Sequence, residues 1–269
     1  MDEDASSELI KFDFEGTDDQ VKGNINVTYA GLQAACLYSL KVLIDPECPQ
    51  NHGMLEPVEI SAPLGSIVNA AFPAASAARA QTAQRIVDVI IGALMDALPQ
   101  RIIAASNGAN TSASFFGSGP NGQYYVYLET LGGGAGGRSY KDGTDGVQVH
   151  MTNTRSTDPE ILENRFREVR LEKFEIRRNS GGTGQYKGGD GVIREISFLE
   201  PRKVSIVSER RKIPPYGASG GESASCGENI LRQISGEEIN LGGKVERVIE
   251  SGETVIIRTP GGGGFGSKP

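Results

Sequence analysis

The sequence predicts an α+β protein, with a mixed helix and strand N-terminal half and a mostly β, glycine-rich C-terminal half. Before residue 100, apolar residues recur at helical spacing in two segments. After residue 120 that period is replaced by short runs rich in β-branched and aromatic residues. Glycine accounts for 36 of the 269 residues, roughly twice the usual share, and it bounds most of these runs.

Two helices and two strands are predicted in the N-terminal half. Residues 9–15 alternate apolar and polar side chains, as a half-buried strand does. A helix is predicted over residues 30–44, ending at Asp45-Pro46 because proline disfavours helix in the residue before it. Residues 55–66 predict a strand followed by a turn. A second helix is predicted over residues 77–98, which a proline follows.

Seven strands are predicted in the C-terminal half, over residues 124–131, 147–151, 171–176, 192–199, 203–208, 245–250 and 254–259. Ser251-Gly252 lies between the last two and predicts a hairpin turn. The predicted organisation is therefore a flexible N-terminus over residues 1–8, a mixed α/β subdomain over 9–120, and a mostly β subdomain with a glycine-rich tail over 121–269.

Charge and composition exclude several classes of protein. The 27 basic and 34 acidic residues leave a net charge of −7, which argues against a protein that binds nucleic-acid backbones. No apolar run is long enough to span a membrane, and the acidic start MDEDASSELI differs from a signal peptide. The three cysteines are too far apart for a disulfide framework or a CxxC metal pair. We expect a cytoplasmic protein with no membrane or nucleic-acid partner.

Two glycine-rich strings superficially resemble nucleotide-binding loops. GGGAGG at residues 132–137 fits GxGxxG and follows a predicted strand, but the sequence after it lacks helical periodicity. A tight loop with close backbone approach is the alternative. GGGGFGSKP at residues 261–269 reverses the Lys-Ser order of a phosphate-binding loop, and no helix follows. The string is interpreted as a tail that threads a groove, in this protein or in a partner, with a disordered tail as the alternative.

Polar residues offer several candidate sites. Of the two histidines, His52 lies in a predicted loop, whereas His150 precedes the hydrogen-bonding residues Thr152, Asn153 and Thr154. His150 and Asn153 are therefore the candidates for a polar site, with a purely structural role as the alternative. No HxH or HExxH spacing predicts a metal site.

Further along the chain, Asp190 lies in GGDG and is interpreted as a turn residue or a general base. Glu209, Arg210 and Arg211 follow a predicted strand. Two guanidinium groups there could clamp a carboxylate or a phosphate, or could pair with acidic neighbours. No GxSxG motif is present, and no cysteine has an activating context.

Ordered strings over nearly the whole chain resemble the hydantoinase B / 5-oxoprolinase family. They include FDFEGTD, VKGNIN, PLGSIVN, QRIVD, HMTNT, SGGTG, GGDG, ERR, PPYG and the terminal TPGGGGFG. The chain is similar to the C-terminal half of a family subunit. The family also contains N-methylhydantoinases and the acetone and acetophenone carboxylases.

The resemblance implies ATP-dependent hydrolysis of a cyclic amide such as 5-oxoproline or a hydantoin. In this family a hydantoinase A-type partner binds ATP and phosphorylates a substrate oxygen, and the B part supports the hydrolysis. A divalent metal is expected in the full-length enzyme, on ligands outside this chain. The expected roles are catalysis for His150, Asn153 and Asp190, and substrate binding for Glu209, Arg210 and Arg211. Two alternatives stay open: a catalytically incomplete scaffold, and a subunit of an ATP-dependent ketone carboxylase.

Overall fold

A computed structural model describes residues 9–108, 110–119 and 122–268. The chain divides into two compact units, Met1–Ala93 and Leu94–Pro269. Helices and strands both occur, and strands predominate. The predicted α+β class is therefore confirmed. Among the described residues, no helix is long and apolar enough to cross a membrane.

The first unit contains two helices and one small sheet. Its elements are β1 (Ile10–Asp13), α1 (Tyr29–Leu43), a 3₁₀ turn (His52–Leu55), β2 (Val58–Ser61) and α2 (Arg79–Ala93). The strands β1 and β2 pair in parallel, and α1 packs against α2. Thr28 caps α1, because its side chain accepts a hydrogen bond from the Gly31 amide. All four predicted elements of this unit are confirmed, with ends shifted by a few residues.

The second unit is built on two antiparallel sheets. Its elements are β3 (Thr111–Ser118), β4 (Tyr124–Leu131), α3 (Pro159–Arg165), β5 (Val169–Arg177), β6 (Gly191–Phe198), β7 (Arg202–Val207), β8 (Glu228–Arg232), β9 (Glu238–Asn240), β10 (Lys244–Ile249) and β11 (Thr254–Arg258). The strand orders are β10-β7-β3-β4 and β5-β6-β11-β8-β9. Both sheets contribute side chains to one hydrophobic core.

Aromatic rings dominate part of this core. Phe115 on β3 stacks on Tyr127 of β4 with ring centroids 4.7 Å apart, and meets the rings of Phe166 and Phe198 edge-on. Such pairs contribute about 0.5–1.5 kcal/mol beyond the apolar area that they bury. Through these contacts Phe166, which follows α3, and Phe198, at the end of β6, pack against the sheet that contains β3 and β4.

The subdomain boundary that the sequence suggests at residue 120 stays a prediction beside the division that the structure gives. The structure separates the units between Ala93 and Leu94, so the chain from Leu94 onward lies with the second unit. In that stretch the Ala104 and Ala105 amides donate to the Gly137 and Tyr216 carbonyls, both at 3.0 Å, and β3 then pairs with both β4 and β7. The N-terminus that the sequence predicts to be flexible, residues 1–8, lies outside the described residues.

Two local predictions are wrong. Residues 147–151 form no strand: Val147 makes an isolated bridge to Gly133, and the chain turns at His150. The predicted hairpin at Ser251-Gly252 is also absent, because β10 pairs with β7 whereas β11 pairs with β6 and β8. The turn instead connects the two sheets, and Ile249 and Val255 on either side of it both belong to the shared core.

Five glycine-rich segments without regular strand structure pack against one another beside the sheets. This glycine bundle comprises residues 132–137, 143–146, 180–190, 216–222 and 260–266. Backbone groups join the segments directly, as in the bonds from the Gly137 amide to the Gly263 carbonyl (2.8 Å) and from the Gly182 amide to the Gly262 carbonyl (2.9 Å). The tail over residues 261–266 is buried within the unit, so it occupies a groove of this protein.

Candidate functional site

His150 and Ser106 form a hydrogen-bonded pair beside the glycine bundle. The His150 Nε2 atom lies 3.2 Å from the Ser106 hydroxyl oxygen, which also accepts a hydrogen bond from the Gly108 amide at 3.1 Å. Ser106 is buried. His150 has a φ of 52°, a left-handed conformation that is uncommon for residues other than glycine. Strained residues of this kind cluster at functional sites.

Arg210 packs against the same short segment from another loop. A Cβ atom placed on Gly108 would lie only 2.7 Å from the Arg210 Nε atom, so the guanidinium stem rests directly on the Gly108 backbone. Arg210 is 5% exposed and has a φ of 54°. Its Nη1 donates to the Pro214 carbonyl at 3.1 Å, and its guanidinium carbon lies 5.8 Å from the Tyr216 ring centroid. The structure thus brings two predicted residues, His150 and Arg210, to opposite ends of Ser106–Gly108.

The loop after His150 carries Asn153, which is exposed. The Thr154 hydroxyl lies 2.6 Å from the hydroxyl of Thr130 on β4, which holds the middle of the loop. The loop end is held at Thr157, whose amide donates to the Glu129 carboxylate at 2.9 Å and whose carbonyl accepts from Arg194 at 3.1 Å. Asn153 is therefore presented to solvent by a loop that is anchored on both sides.

The anchor at Thr157 is a buried ion pair. Arg194 Nε lies 2.9 Å from a Glu129 carboxylate oxygen, and the two side chains are 0% and 2% exposed. Burial raises the pKa of Glu129, and the charge of Arg194 opposes that rise. The Arg194 guanidinium also lies 4.7 Å from the Phe174 ring centroid. This pair joins β4 of one sheet to β6 of the other and fixes the loop that carries Asn153.

Asp190 holds two glycine segments together. Its carboxylate accepts hydrogen bonds from the Gly181 amide (2.7 Å), the Asn179 amide (3.2 Å) and the Lys187 ammonium group (2.9 Å). Its own amide donates to Asp145 at 2.7 Å. Burial raises the pKa of Asp190, but the hydrogen bonds outweigh burial and hold that pKa below its usual range. A carboxylate so well satisfied is a weak base, and these contacts favour loop positioning over proton abstraction.

We expect Asp190→Asn to remove an acid-sensitive part of the stability. A carboxylate with a lowered pKa in the folded state stabilises the fold above about pH 4. That contribution is lost as pH falls through the lowered folded pKa. The free energy of unfolding of Asp190→Asn should therefore fall below that of the parent at pH 7, and the gap should narrow towards pH 3. Urea titrations at several pH values measure it, and a gap independent of pH would contradict the assignment.

Glu209 and Arg211 form hydrogen bonds with residues outside the group Ser106, Gly108, His150 and Arg210. Glu209 accepts a hydrogen bond from Lys244 at 2.7 Å. Arg211 donates to the Glu209 carbonyl at 2.7 Å and to the Asn229 side chain at 3.0 Å. Burial, together with the nearby charge of Arg177, lowers the pKa of Arg211 to about 10. These contacts favour the alternative interpretation for these two residues, in which they hold loops together.

Chemically, the candidate site formed by Ser106, Gly108, His150 and Arg210 combines a proton carrier with a cation. An imidazole within hydrogen-bond reach of a hydroxyl can take or return its proton. A guanidinium group in the same region can hold a carboxylate or a phosphate. The sequence interpretation did not single out Ser106, Glu129 or Arg194. The only local signals are the polar string SNG before a strand and single charges within β4 and β6.

Most backbone amides of the two glycine-rich strings are used within the chain, which does not favour a bound nucleotide there. The backbone amides of residues 261–266 all donate to carbonyl groups of the chain, and those of Gly133, Gly134, Ala135 and Gly137 do the same. None of these amides is left to hold a phosphate. Among the described residues, no group of three or more His, Cys, Asp or Glu side chains could hold a metal ion.

Proteins named 5-oxoprolinase are similar to this chain over nearly its whole length. The chain is 44% identical over 266 residues to 5-oxoprolinase 1 of Arabidopsis thaliana, and the match covers 98% of this chain and 20% of that protein. It is 43% identical over 258 residues to a 5-oxoprolinase of Dictyostelium discoideum, and that match covers 96% of this chain and 19% of that protein. The chain thus spans about a fifth of the length of each of these relatives.

Solved structures share the fold. The ATP-dependent caprolactamase from Pseudomonas jessenii superposes with a TM-score of 0.83 at 24% identity, covering 96% of this chain and 46% of that one. A nucleotide-free acetone carboxylase superposes with a TM-score of 0.77 at 16% identity, covering 96% of this chain and 39% of that one. The Hydantoinase B/oxoprolinase family matches residues 2–268. The chain belongs to the Hydantoinase B/oxoprolinase family.

Proposed function

We propose that this chain is the C-terminal region of a hydantoinase B-type subunit and takes part in ATP-dependent hydrolysis of a cyclic amide. The substrate class is 5-oxoproline or a hydantoin. The observation that carries the proposal is the family match over residues 2–268, together with 44% identity to a protein named 5-oxoprolinase. In this proposal a hydantoinase A-type partner binds ATP. The internal use of most amides in the glycine-rich strings of this chain is compatible with that division of roles. The divalent metal expected of the full enzyme is held outside this chain.

Within this chain, the candidate site transfers a proton and binds an anionic group. Ser106 positions the His150 imidazole through their 3.2 Å contact. The imidazole takes a proton from the water that attacks the carbonyl carbon of the cyclic amide, and returns it to the ring nitrogen as the carbon–nitrogen bond breaks. Arg210 holds an anionic group of the substrate or of the partner. Asn153, on the anchored loop, offers an amide that can donate to or accept from a cyclic amide. Asp190 keeps the glycine segments in register.

Reconstitution tests this proposal. The chain is mixed with a hydantoinase A-type protein and with the N-terminal part of a hydantoinase B-type protein, and ADP release is followed with 5-oxoproline or hydantoin. We expect ADP release that depends on the cyclic amide and on this chain. If the complete mixture releases no ADP in response to either substrate, the proposal is wrong.

Substitution of His150 by asparagine should lower kcat at least roughly a hundredfold, the usual effect of losing a general acid or base. Asparagine is the informative change because it tolerates the left-handed backbone at this position better than alanine. We expect KM and the melting temperature to stay near the parent values. His52→Asn, in the other unit, is the matched control and should leave kcat unchanged. Unchanged kcat in His150→Asn would return this residue to a structural role.

Assays on the same reconstituted mixture distinguish two other functions, ketone carboxylation and a scaffold role. The structural likeness to an acetone carboxylase favours ketone carboxylation as the second candidate, and ATP consumption that requires bicarbonate and a ketone would identify it. A scaffold role predicts that the chain improves assembly of the complex while His150→Asn, Asn153→Ala and Arg210→Lys leave turnover unchanged.

A further inference from the structure

The strand β4 exposes the face that its sequence would be expected to bury. Along YYVYLETL, one face carries Tyr124, Val126 and Leu128, and the opposite face carries Tyr125, Tyr127 and Glu129. The first three residues are 65%, 54% and 64% exposed, whereas Tyr127 and Glu129 are buried. The more apolar face of the strand thus lies in solvent. Exposed apolar rows of this kind mark interaction surfaces.

β4 is also an outer strand of its sheet. The order is β10-β7-β3-β4, and the strand pairs with β3 on one side only among the described residues. Outer strands in proteins are usually protected by charged side chains or proline, yet residues 124–128 contain neither. The backbone groups on the outer edge of this stretch are therefore available to another strand.

A groove runs between this edge and α3. It encloses a cavity of about 330 Å³ lined by Val126, Tyr127, Leu128, Thr157, Ile161, Leu162, Arg165 and Phe166. Leu162 and Phe166 are buried and form an apolar floor, whereas Ile161 is 58% exposed at the mouth. One wall is therefore an unpaired strand edge, and the other is a helix that offers apolar side chains.

The charged side chain that lines the groove indicates the chemistry of its ligand. Arg165 is the one ionisable cation among its eight lining residues, and no lining residue is a carboxylate. This local positive charge lies on a chain whose net charge is −7. A ligand with an apolar side chain followed by a carboxylate would therefore match both the floor and Arg165.

We propose that the β4–α3 groove binds an extended segment of a partner polypeptide by strand addition. The segment pairs with the outer edge of β4, places one apolar side chain on Leu162 and Phe166, and sets a carboxylate against Arg165. Main-chain hydrogen bonds supply affinity in this mode of recognition, and the side-chain pocket supplies specificity. The interaction is separate from the reaction proposed above and does not depend on it.

The probe is a fluorescein-labelled peptide of alternating threonine and valine that ends in Leu-Asp, titrated with the full chain. We expect saturable binding that Leu128→Lys and Ile161→Lys each weaken at least tenfold. Val248→Lys is the matched control, because Val248 is 52% exposed on β10 at the opposite edge of the same sheet, and it should bind the probe as the parent does. All three side chains are exposed, so circular dichroism should show unchanged folding.

A charge exchange tests the carboxylate contact. Arg165→Glu should weaken binding of the Leu-Asp probe at least fivefold, and a probe ending in Leu-Lys amide should bind this variant better than it binds the parent. Three results would overturn the proposal: no saturable binding of the probe, equal weakening by Leu128→Lys and Val248→Lys, or the same preference for the Leu-Asp probe in the parent and in Arg165→Glu. A dimer in sedimentation that Leu128→Lys abolishes would also overturn it, since it would assign the edge to a second copy of the chain.

Discussion

Replacement of Gly188 by alanine should destabilise the second unit by more than about 4 kcal/mol, an exceptional effect for one methyl group. A Cβ atom at this position would lie 1.8 Å from the Gly262 carbonyl oxygen and 2.5 Å from its carbonyl carbon. Both atoms belong to a buried backbone segment of the glycine bundle, so no flexible side chain can move aside. Urea unfolding followed by circular dichroism measures the loss.

Gly119→Ala provides the matched control. The nearest atom to a Cβ on Gly119 is the Gln123 carbonyl oxygen at 3.7 Å, an ordinary contact. This variant should unfold within about 1 kcal/mol of the parent. Equal stabilities for Gly188→Ala and Gly119→Ala would show that the segments of the bundle are not closely packed in solution.

Arg194→Met should cost about 3–5 kcal/mol of unfolding free energy, because it leaves the buried Glu129 carboxylate without its cation. The double variant Glu129→Leu/Arg194→Met should recover a large part of that loss, since no unpaired charge then stays buried. The part that is not recovered reports the two hydrogen bonds to Thr157, at about 1–3 kcal/mol for the buried groups left unsatisfied. Thermal and urea unfolding of Arg194→Met, Glu129→Leu and the double variant provide these numbers.

The exposed pair Lys203–Glu246 is the control for this experiment, since its side chains are 52% and 59% exposed. Lys203→Met should change the stability by less than about 1 kcal/mol, as is usual for surface ion pairs. If the losses in Glu129→Leu and Arg194→Met simply add in the double variant, the two side chains do not interact as the structure indicates. Amide hydrogen exchange at Asn153 and Thr154 should also accelerate in Arg194→Met, because the anchor of their loop is lost.

Helices α1 and α2 and six of the seven strands predicted in the C-terminal half are present in the structure, because each carries its own period in the sequence. β3 lacks such a signal: TSASFFGS contains small and polar residues, and it becomes a central strand through pairing on both sides. The run VQVHM has the residues of a strand but lies against glycine segments, where an isolated bridge at Val147 replaces a ladder. Pairing partners far away in the sequence decide both cases.

The candidate site divides in the same way. His150 and Arg210 could be singled out from residue type and local context, whereas Ser106 could not, since a serine in a loop has no distinctive pattern. Glu129 and Arg194 occupy strand positions that alternation alone would permit in solvent. Only the packing of two sheets face to face makes them a buried pair.

By itself, the sequence determines the α+β class, the positions of α1, α2 and most of the strands, and the family, since these depend on local periodicity and on ordered strings of residues. The tertiary structure decides which sheet each strand joins, which face of β4 meets the core, and which loops place His150 and Arg210 beside Ser106–Gly108. These features depend on contacts between residues distant in the chain, whose free energies no local pattern records.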